Sequence, residues 1–332
     1  MTSLLPADET RERRRAMLRT AMGPVIGTAL LDPAVIEIMV NPDGVVRVDR
    51  RGQGRVDTSE RLAPAEVERI IRMVASHVRV EAHAANPVVS AELPESGERF
   101  EGLLPPVAIA PCFAIRKPIG HVLRLEDYVA EQILSPLHAA VLRQGVANRK
   151  TILIAGGTSS GKTTLANALL AEMAEADERI VLIEDTRELR SPAKDTVALR
   201  TVRGSVSLAD LVRSTMRLRP DRIIVGEVRG AEALDMLKAW NTGHPGGIAT
   251  VHANSAASAL SRLELLIQEA VAVVPRALIA QAIDLIVFIA GRGSDRRVET
   301  VAAVEGFAGG EYRLRSIDSH AALTLAKETP RC

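Results

Sequence analysis

The sequence predicts an α/β protein with two domains, a smaller α+β domain at the N-terminus and a larger C-terminal domain with a mainly parallel sheet. First, the 332 residues are more than one compact core usually holds. Second, short strand and helix patterns are mixed before residue 120, whereas apolar strands alternate with helical patterns after residue 150. Such alternation is typical of a parallel sheet with helices on both faces. We therefore expect an N-terminal domain over residues 1–120, a linker over 121–135 and the second domain over 136–332.

The predicted N-terminal domain contains a turn, a hairpin, a helix and an extended segment. Asn41-Pro42-Asp43-Gly44 has the composition of a tight turn, and VVRVDRRGQGRV after it predicts a hairpin. APAEVERIIRMVASHV predicts a helix, because its apolar residues recur at helical spacing and share one face. The residues of that face are Val67, Ile70, Ile71 and Val74. The proline-rich GLLPPVAIAPCFAIRKP predicts an extended segment near the end of the domain.

Five apolar stretches predict the strands of the second domain. They are TILIA, RIVLIE, TVALRTV, RIIVGE and GIATVHA, and helical patterns separate most of them. Pro136 suits the first position of the helix that opens this domain.

Composition places the chain among ordinary globular proteins. Apolar residues make up 47% and charged residues 25%, and the formal net charge is only +1. Cys112 and Cys332 have no paired spacing, which is consistent with a reducing cytosol. No run of about 18 apolar residues occurs, because Pro275 and Arg276 interrupt the best candidate. We therefore expect a cytoplasmic protein without a membrane span.

A basic segment runs from Arg11 to Arg19. We interpret it as the solvated face of a helix, since such runs of charge are common on helix surfaces. The alternative is a helix that lies on an anionic membrane, with Met17, Leu18 and Met22 facing the lipid.

A phosphate-binding pattern lies between the first predicted strand and the helix after it. It reads Gly156-x-x-x-x-Gly161-Lys162-Thr163. The glycines let the backbone N–H groups point at the β- and γ-phosphates, the lysine adds positive charge, and the threonine hydroxyl can hold Mg²⁺. Since both flanks fit, we predict a nucleotide site. Its residues are Gly156, Gly157, Thr158, Ser159, Ser160, Gly161, Lys162, Thr163 and Thr164.

Carboxylates follow two of the apolar strands, at the edge where ligands bind in a parallel sheet. RIVLIEDTREL supplies Glu184, Asp185 and Glu188, and RPDRIIVGEVRG supplies Glu227. A phosphate loop needs such acids to organise magnesium and to orient the attacking water. We predict Glu227 as the general base, with Glu188 as the alternative. Glu184 and Asp185 are expected in the magnesium shell with Thr163, partly through water.

Two of the seven histidines, His244 and His252, lie in NTGHPGGIATVHANSA. Their position at the two ends of a glycine-flanked strand predicts a sensor of the γ-phosphate. The alternative is a histidine in a turn and a buried histidine, neither of which takes part in catalysis.

Four motifs, in this order, resemble those of the secretion and conjugation traffic ATPases. GGTSSGKTT resembles the family's Walker A motif, IEDTREL its acidic box, RPDRIIVGEVRG its Walker B motif and TGHPGGIATVHANS its histidine box. MVNPDG, SAELPESGERFEGLLPPV and FAIRKP resemble its N-terminal stretches, so the resemblance covers nearly the whole chain. The family's loop usually has glycine where this chain has Ser159. A positive φ at that position would cost a serine about 1 kcal/mol.

The resemblance implies a RecA-like P-loop ATPase domain, with ATP and Mg²⁺ as its ligands, in a homo-hexameric ring. It also implies that the ring docks on inner-membrane components of a conjugative or type IV secretion channel and is peripherally attached on the cytoplasmic side. Arg99 and Arg116 resemble arginines with which the family's N-terminal domain reaches the phosphates across the cleft. The alternative for each arginine is a surface salt bridge.

Three other functions stay open from the sequence. A pilus assembly or retraction motor differs only in its partner. A DNA-dependent motor is disfavoured by the charge of +1 and by the 2% of aromatic residues, because strand-tracking channels need basic grooves and stacking rings. A nucleotide switch without hydrolysis is disfavoured by the two sets of acids. We expect no sequence-specific binding of nucleic acid.

Overall fold

The computed structural model describes residues 7–94, 97–117, 122–202 and 204–317. The chain divides into two compact units, Met1–Gly120 and His121–Cys332, and each has its own sheet and hydrophobic core. None of the described helices combines the length and the hydrophobicity that crossing a bilayer requires.

The described residues of the first unit form a six-stranded antiparallel sheet with two helices. In chain order the elements are α1 (Ala7–Leu31), β1 (Val35–Val40), β2 (Val45–Arg50), β3 (Gly54–Arg61), α2 (Pro64–His77), β4 (Val88–Glu92), β5 (Arg99–Leu103) and β6 (Cys112–Arg116). The strand order is β3-β2-β1-β6-β5-β4. The predicted turn is confirmed by a hydrogen bond of 2.9 Å from Gly44 N to Asn41 O. The hairpin β2–β3 and the helix α2 are confirmed as well.

The alternative in which the basic segment faces lipid is wrong for two of its three apolar residues. Leu18 and Met22 of α1 are buried in the core of the first unit, where they pack with residues of the sheet and of α2. Only Met17 of the three is exposed, at 56%. Side chains that stabilise the core in this way are not available to a membrane.

The described residues of the second unit form an eight-stranded sheet. In chain order the elements are α3 (Leu125–Ala130), α4 (Pro136–Ala147), β7 (Ile152–Gly156), α5 (Lys162–Ala171), β8 (Ile180–Glu184), β9 (Thr196–Arg200), α6 (Leu208–Thr215), β10 (Arg222–Val228), α7 (Glu232–Asn241), β11 (Ile248–His252), α8 (Ala256–Ile267), α9 (Arg276–Ala282), β12 (Leu285–Ala290), a 3-10 turn over Gly293–Asp295, β13 (Arg297–Ala308) and β14 (Glu311–Ser316). The strand order is β14-β13-β12-β7-β11-β10-β8-β9. The strands from β12 to β9 run parallel, whereas β13 and β14 are antiparallel.

The inner strands are apolar along their whole length because helices cover both faces of the sheet. In β7, Ile152 and Ile154 belong to the core beneath α4 and α5, and Leu153 and Ala155 belong to the core beneath α7 and α8. The predicted parallel sheet with two covered faces is therefore confirmed. Parallel strands all end at the same edge of the sheet, so the C-terminal ends of β7, β8, β10 and β11 lie together. The candidate site lies at this edge.

Two features of the second unit differ from the sequence prediction. The segment expected as a linker, residues 121–135, contains α3, whose Leu125 and Tyr128 are buried in the same core as α4. The predicted helix start at Pro136 is confirmed, and Ser135 caps it by accepting a hydrogen bond of 3.1 Å from His138 N. The meander β12–β14, which extends the parallel sheet, was not among the predicted strands.

Candidate functional site

The loop between β7 and α5 has the backbone of a phosphate-binding loop. A side chain at Gly156 would meet Ile289 O at 2.4 Å and Ser160 Oγ at 2.6 Å, so only glycine fits there. Gly161, directly before α5, has a φ of 97°, which glycine adopts readily. Ser159 has a φ of 62°, which lies in the left-handed region, so the backbone of this serine is strained.

Lys162 occupies the loop from within. Its side chain is buried, and its Nζ donates hydrogen bonds to Gly156 O at 3.1 Å and Gly157 O at 3.0 Å. Burial lowers the pKa of Lys162, and the nearby Glu227 carboxylate opposes this shift. The N–H groups at the start of α5, including those of Thr163 and Thr164, add the positive end of the helix dipole. Phosphate oxygens can therefore replace the two carbonyl oxygens as hydrogen-bond partners of Lys162.

His252 connects the loop to the neighbouring strands. It is the last residue of β11 and lies opposite Gly156 in the parallel register. Its Nδ1 lies 3.3 Å from Lys162 Nζ, and its Nε2 lies 2.6 Å from Glu227 Oε1. Burial and the charge of Lys162 lower the pKa of His252, while Glu227 raises it. The net shift disfavours protonation of this imidazole, which lies between a cation and a carboxylate.

Arg229 is a site residue that the sequence analysis missed. Glu227, near the end of β10, accepts a hydrogen bond of 2.8 Å at Oε2 from Arg229 Nε and a shorter one from Arg229 Nη2. Arg229 Nη1 lies 3.5 Å from Asp185 Oδ2, and Asp185 Oδ1 also accepts a hydrogen bond of 3.0 Å from Thr201. An arginine two residues after the strand-end acid was the only signal for this contact in the sequence.

Glu184 supports the acidic loop through one oxygen of its carboxylate. Its side chain is buried, and Oε1 accepts backbone hydrogen bonds from Glu188 at 2.9 Å and Leu189 at 2.7 Å. Asn167 of α5 holds the same loop, since it donates to Glu188 O at 2.9 Å and accepts from Arg190 N at 2.8 Å. Oε1 of Glu184 is therefore held by the backbone, and the place of this residue in the magnesium shell stays a prediction.

The structure does not bring His244 to the phosphate loop. His244 precedes β11, and its Nδ1 lies 2.8 Å from Pro220 O, just before β10. This is the edge of the sheet where β10 and β11 begin, and the strand of five residues separates it from His252 by more than about 13 Å. The expectation that both histidines sense the γ-phosphate of one site does not fit this geometry for His244.

The glycines around His244 serve packing. At Gly247 a side chain would overlap the Trp240 indole, whose Nε1 lies 2.0 Å from the ideal Cβ position. Gly246 has a φ of 81° and packs against Arg149 and Arg222. This stretch therefore contributes a tight turn into β11.

Arg99 and Arg116 lie in the first unit, directly opposite each other on the antiparallel strands β5 and β6. Like charges in this position destabilise a sheet. The same register places Glu92 opposite Arg99 and Glu37 opposite Arg116, so it also fits the alternative of surface salt bridges. Their predicted contact with ATP stays a prediction.

The side chains fit a magnesium ion that arrives with the nucleotide. Among the described residues, no group of three or more His, Cys, Asp or Glu side chains is arranged to hold a metal ion by itself. Mg²⁺ in nucleotide sites takes most of its ligands from phosphates and water. The hydroxyl of Thr163 at the start of α5 and, through water, the carboxylate of Asp185 are suitable protein partners.

Comparisons with known proteins agree with the motifs. The family model described as Type II/IV secretion system protein matches residues 29–293. The chain is 46% identical over 312 residues to the conjugal transfer protein TrbB of Rhizobium radiobacter, and the match covers 92% of this chain and 96% of that protein. It is 35% identical to the type IV secretion system protein VirB11 of Bartonella henselae, with 76% and 82% covered.

A solved structure of similar fold is that of the pilus retraction motor PilT with bound ADP. The TM-score is 0.61 at 20% identity, and the match covers 91% of this chain and 85% of that chain. The ATPase DotB of Legionella pneumophila gives a TM-score of 0.59 at 19% identity, with 92% and 85% covered. At these identities the likeness extends to the fold alone.

Proposed function

The chain belongs to the Type II/IV secretion system protein family, and we propose that it hydrolyses ATP to power a conjugative type IV secretion system, either its assembly or the transfer of substrate through it. The observation that carries the proposal is the contact of His252 with both Lys162 and Glu227 at the end of three adjacent strands. This arrangement places the Lys162 ammonium, an imidazole and a carboxylate around one point beside the loop.

The chain's own residues have separate roles in hydrolysis. The loop N–H groups and Lys162 bind the β- and γ-phosphates, and Lys162 exchanges its carbonyl partners for phosphate oxygens. Glu227 accepts the proton of the water that attacks the γ-phosphorus, while ADP leaves with the electrons of the broken P–O bond. Mg²⁺, held by Thr163 when bound with ATP, neutralises charge on the phosphates.

Glu227 needs to be released before it can act as the base. One of its oxygens is held by Arg229 and the other faces His252. A γ-phosphate near His252 competes for both the imidazole and the Arg229 guanidinium, since each is a donor to anions. ATP binding would then free the carboxylate, which links turnover to the presence of the γ-phosphate.

The ring, the partners and the location rest on the relatives. Proteins named for conjugal transfer and type IV secretion match this chain over 76% to 92% of its length. By that likeness the chain acts as a homo-hexameric ring on the cytoplasmic face of the inner membrane, bound to inner-membrane components of the channel. From the family resemblance we also propose that Arg99 and Arg116 bind phosphate oxygens of ATP.

A pilus assembly or retraction motor is the second candidate, because the fold matches that of the motor PilT. The relatives at 46% identity are named for conjugal transfer, which favours the first. Complementation separates the two. In donor cells whose transfer system lacks this gene, the wild-type chain and the exposed-lysine variant Lys238→Ala should restore transconjugants, and Lys162→Ala should not. Full transfer by the Lys162→Ala strain, or none by the wild-type strain, would contradict the proposal.

The DNA-dependent motor is tested on the purified chain. Steady-state phosphate release is measured with and without single-stranded DNA. The proposal predicts the same turnover in both, and stimulation by about tenfold or more would favour the DNA motor instead.

A further inference from the structure

The side chain of Arg296 lies against the phosphate loop. Arg296 follows the 3-10 turn after β12 and directly precedes β13. A Cβ atom placed on Gly161 would be 2.9 Å from Arg296 Nε and 3.1 Å from Cζ. The guanidinium therefore packs on the glycine that precedes Lys162 and leaves no room for a larger residue there.

The Arg296 side chain is half-buried. Its Nε is buried without a hydrogen-bond partner, and the guanidinium has no ion pair within the described parts of the chain. Tyr128 is the nearby polar group that feels its charge. Burial raises the pKa of the Tyr128 phenol, so the phenol stays protonated and supplies no counter-charge. A buried guanidinium N–H group without a partner is costly, because buried polar groups are usually hydrogen-bonded.

The position of Arg296 indicates which part of a nucleotide it faces. Glu227 and His252 lie at the ends of β10 and β11, on one side of β7, whereas β12 lies on the other side. If the γ-phosphate lies beside His252, the rest of the nucleotide extends along the loop away from β10 and β11. That direction leads to the turn after β12, which carries Arg296.

We infer that Arg296 binds the α-phosphate of the nucleotide. The inference rests on the proposed ATPase site and adds a residue to it from the meander at the end of the chain. The two Nη groups supply the donors, and the contact with Gly161 keeps the guanidinium in place before the nucleotide arrives. Arginine suits this role because its fork can bond two oxygens of one phosphate.

The test uses the full chain and isothermal titration with ADP in EDTA, so that only protein contacts contribute. Arg296→Met keeps most of the stem but removes the charge, and we expect it to bind ADP about 10- to 100-fold more weakly. Arg297→Met is the matched control, because Arg297 is the next residue and pairs with Glu299 at 2.7 Å on the surface. The control should bind ADP like the wild type.

A second ligand separates direct contact from a merely structural role. Adenosine 5′-O-(1-thiodiphosphate) replaces one α-phosphate oxygen by sulfur, a poorer acceptor. The wild type should prefer ADP to this analogue, and Arg296→Met should lose that preference. If the variant weakens both ligands equally and keeps the preference, Arg296 supports the loop without touching the phosphate, and the inference is overturned.

Folding and the parent proposal are controlled separately. Arg296→Gln replaces Arg296→Met if the latter fails to fold, with the same expected losses. Failure of both variants to fold would place Arg296 in the core and overturn the inference. A wild-type chain that binds no ADP would instead refute the ATPase site, whereas normal ADP binding by Arg296→Met in the presence of wild-type binding would refute the inference alone.

Discussion

His252 Nδ1 lies 3.3 Å from Lys162 Nζ, so the lysine of the phosphate loop contacts the end of a neighbouring strand as well as its own loop. The same imidazole reaches Glu227 with its other nitrogen. Three side chains from β10, β11 and α5 are thereby coupled. Each should respond when one of the others is changed.

The pKa of His252 reports this coupling. Burial and Lys162 lower it below about 6.5, and Glu227 raises it. We expect Lys162→Met to raise the pKa of His252 and Glu227→Gln to lower it, as measured by NMR titration of the imidazole Cε1–H. The exposed Lys238→Met should leave it unchanged. A His252 pKa that is the same in all three variants would contradict the coupling.

The lowered pKa of His252 makes the free energy of unfolding depend on pH. The unfolded chain protonates His252 near pH 6.5, whereas the native chain resists protonation until lower pH. Between those two pH values the unfolded state binds more protons, so the contribution of His252 to the free energy of unfolding should fall as the pH drops below about 6.5. In urea titrations, the free energy of unfolding should depend on pH in the same way for the wild type and for His252→Gln above about pH 6.5, and differently below it. Parallel pH profiles below this value would contradict the assignment.

Glu227→Gln should bind ATP but turn over about 10²- to 10⁴-fold more slowly, because the amide cannot accept the proton of the attacking water. Glu188→Gln is the comparison, since it tests the other candidate base. If the Glu188 variant is the inactive one and Glu227→Gln retains wild-type turnover, the two roles must be exchanged. Glu311→Gln, on the edge strand β14, controls for the loss of one negative charge.

Ser159→Gly should relieve backbone strain in the loop. The φ of 62° disfavours serine, while glycine adds entropy to the unfolded chain, so the net gain is at most about 1 kcal/mol. Denaturant unfolding measures it. Ser214→Gly, at an exposed position in α6, should instead lose about 0.5–1 kcal/mol. Equal destabilisation by both substitutions would show that Ser159 is not strained.

Arg116→Ala should lower kcat by about 10³-fold with little change in the melting temperature, as expected for an arginine that stabilises charge in the transition state. Arg55→Ala, on the exposed edge strand β3, is the matched control. A rise in KM at constant kcat would mean that Arg116 only helps to hold the nucleotide. Wild-type kinetics in Arg116→Ala would remove it from the site.

The phosphate loop, the parallel sheet and the strand-end acids could be predicted from the sequence because each depends on a local pattern. Gly156 and Gly161 lie within one strand–loop–helix unit, and Glu227 lies near the end of one apolar strand. The position of His244 could also have been predicted, since two residues at opposite ends of one strand lie at opposite edges of the sheet. Both histidines were assigned to one site because they belong to the same sequence motif.

Other parts of the site depend on contacts that no local pattern records. Glu184 is used by the backbone N–H groups of a loop whose path the sequence does not specify. Arg296 reaches Gly161 only because β12 pairs with β7, and the strands that carry it were not identified. Arg229 contacts Glu227 through a turn after β10, whose conformation sets the direction of the side chain.

The most direct test of the account is steady-state phosphate release by the purified full chain, compared with Lys162→Ala and with the exposed control Lys238→Ala. Lys162 contacts carbonyl groups of the loop and His252. Its ammonium group is the positive charge in the loop that would bind the phosphates. We expect the wild type and Lys238→Ala to release phosphate at equal rates and Lys162→Ala to lose at least about 100-fold in kcat/KM. Wild-type phosphate release by Lys162→Ala would contradict the assignment of this loop as the ATPase site.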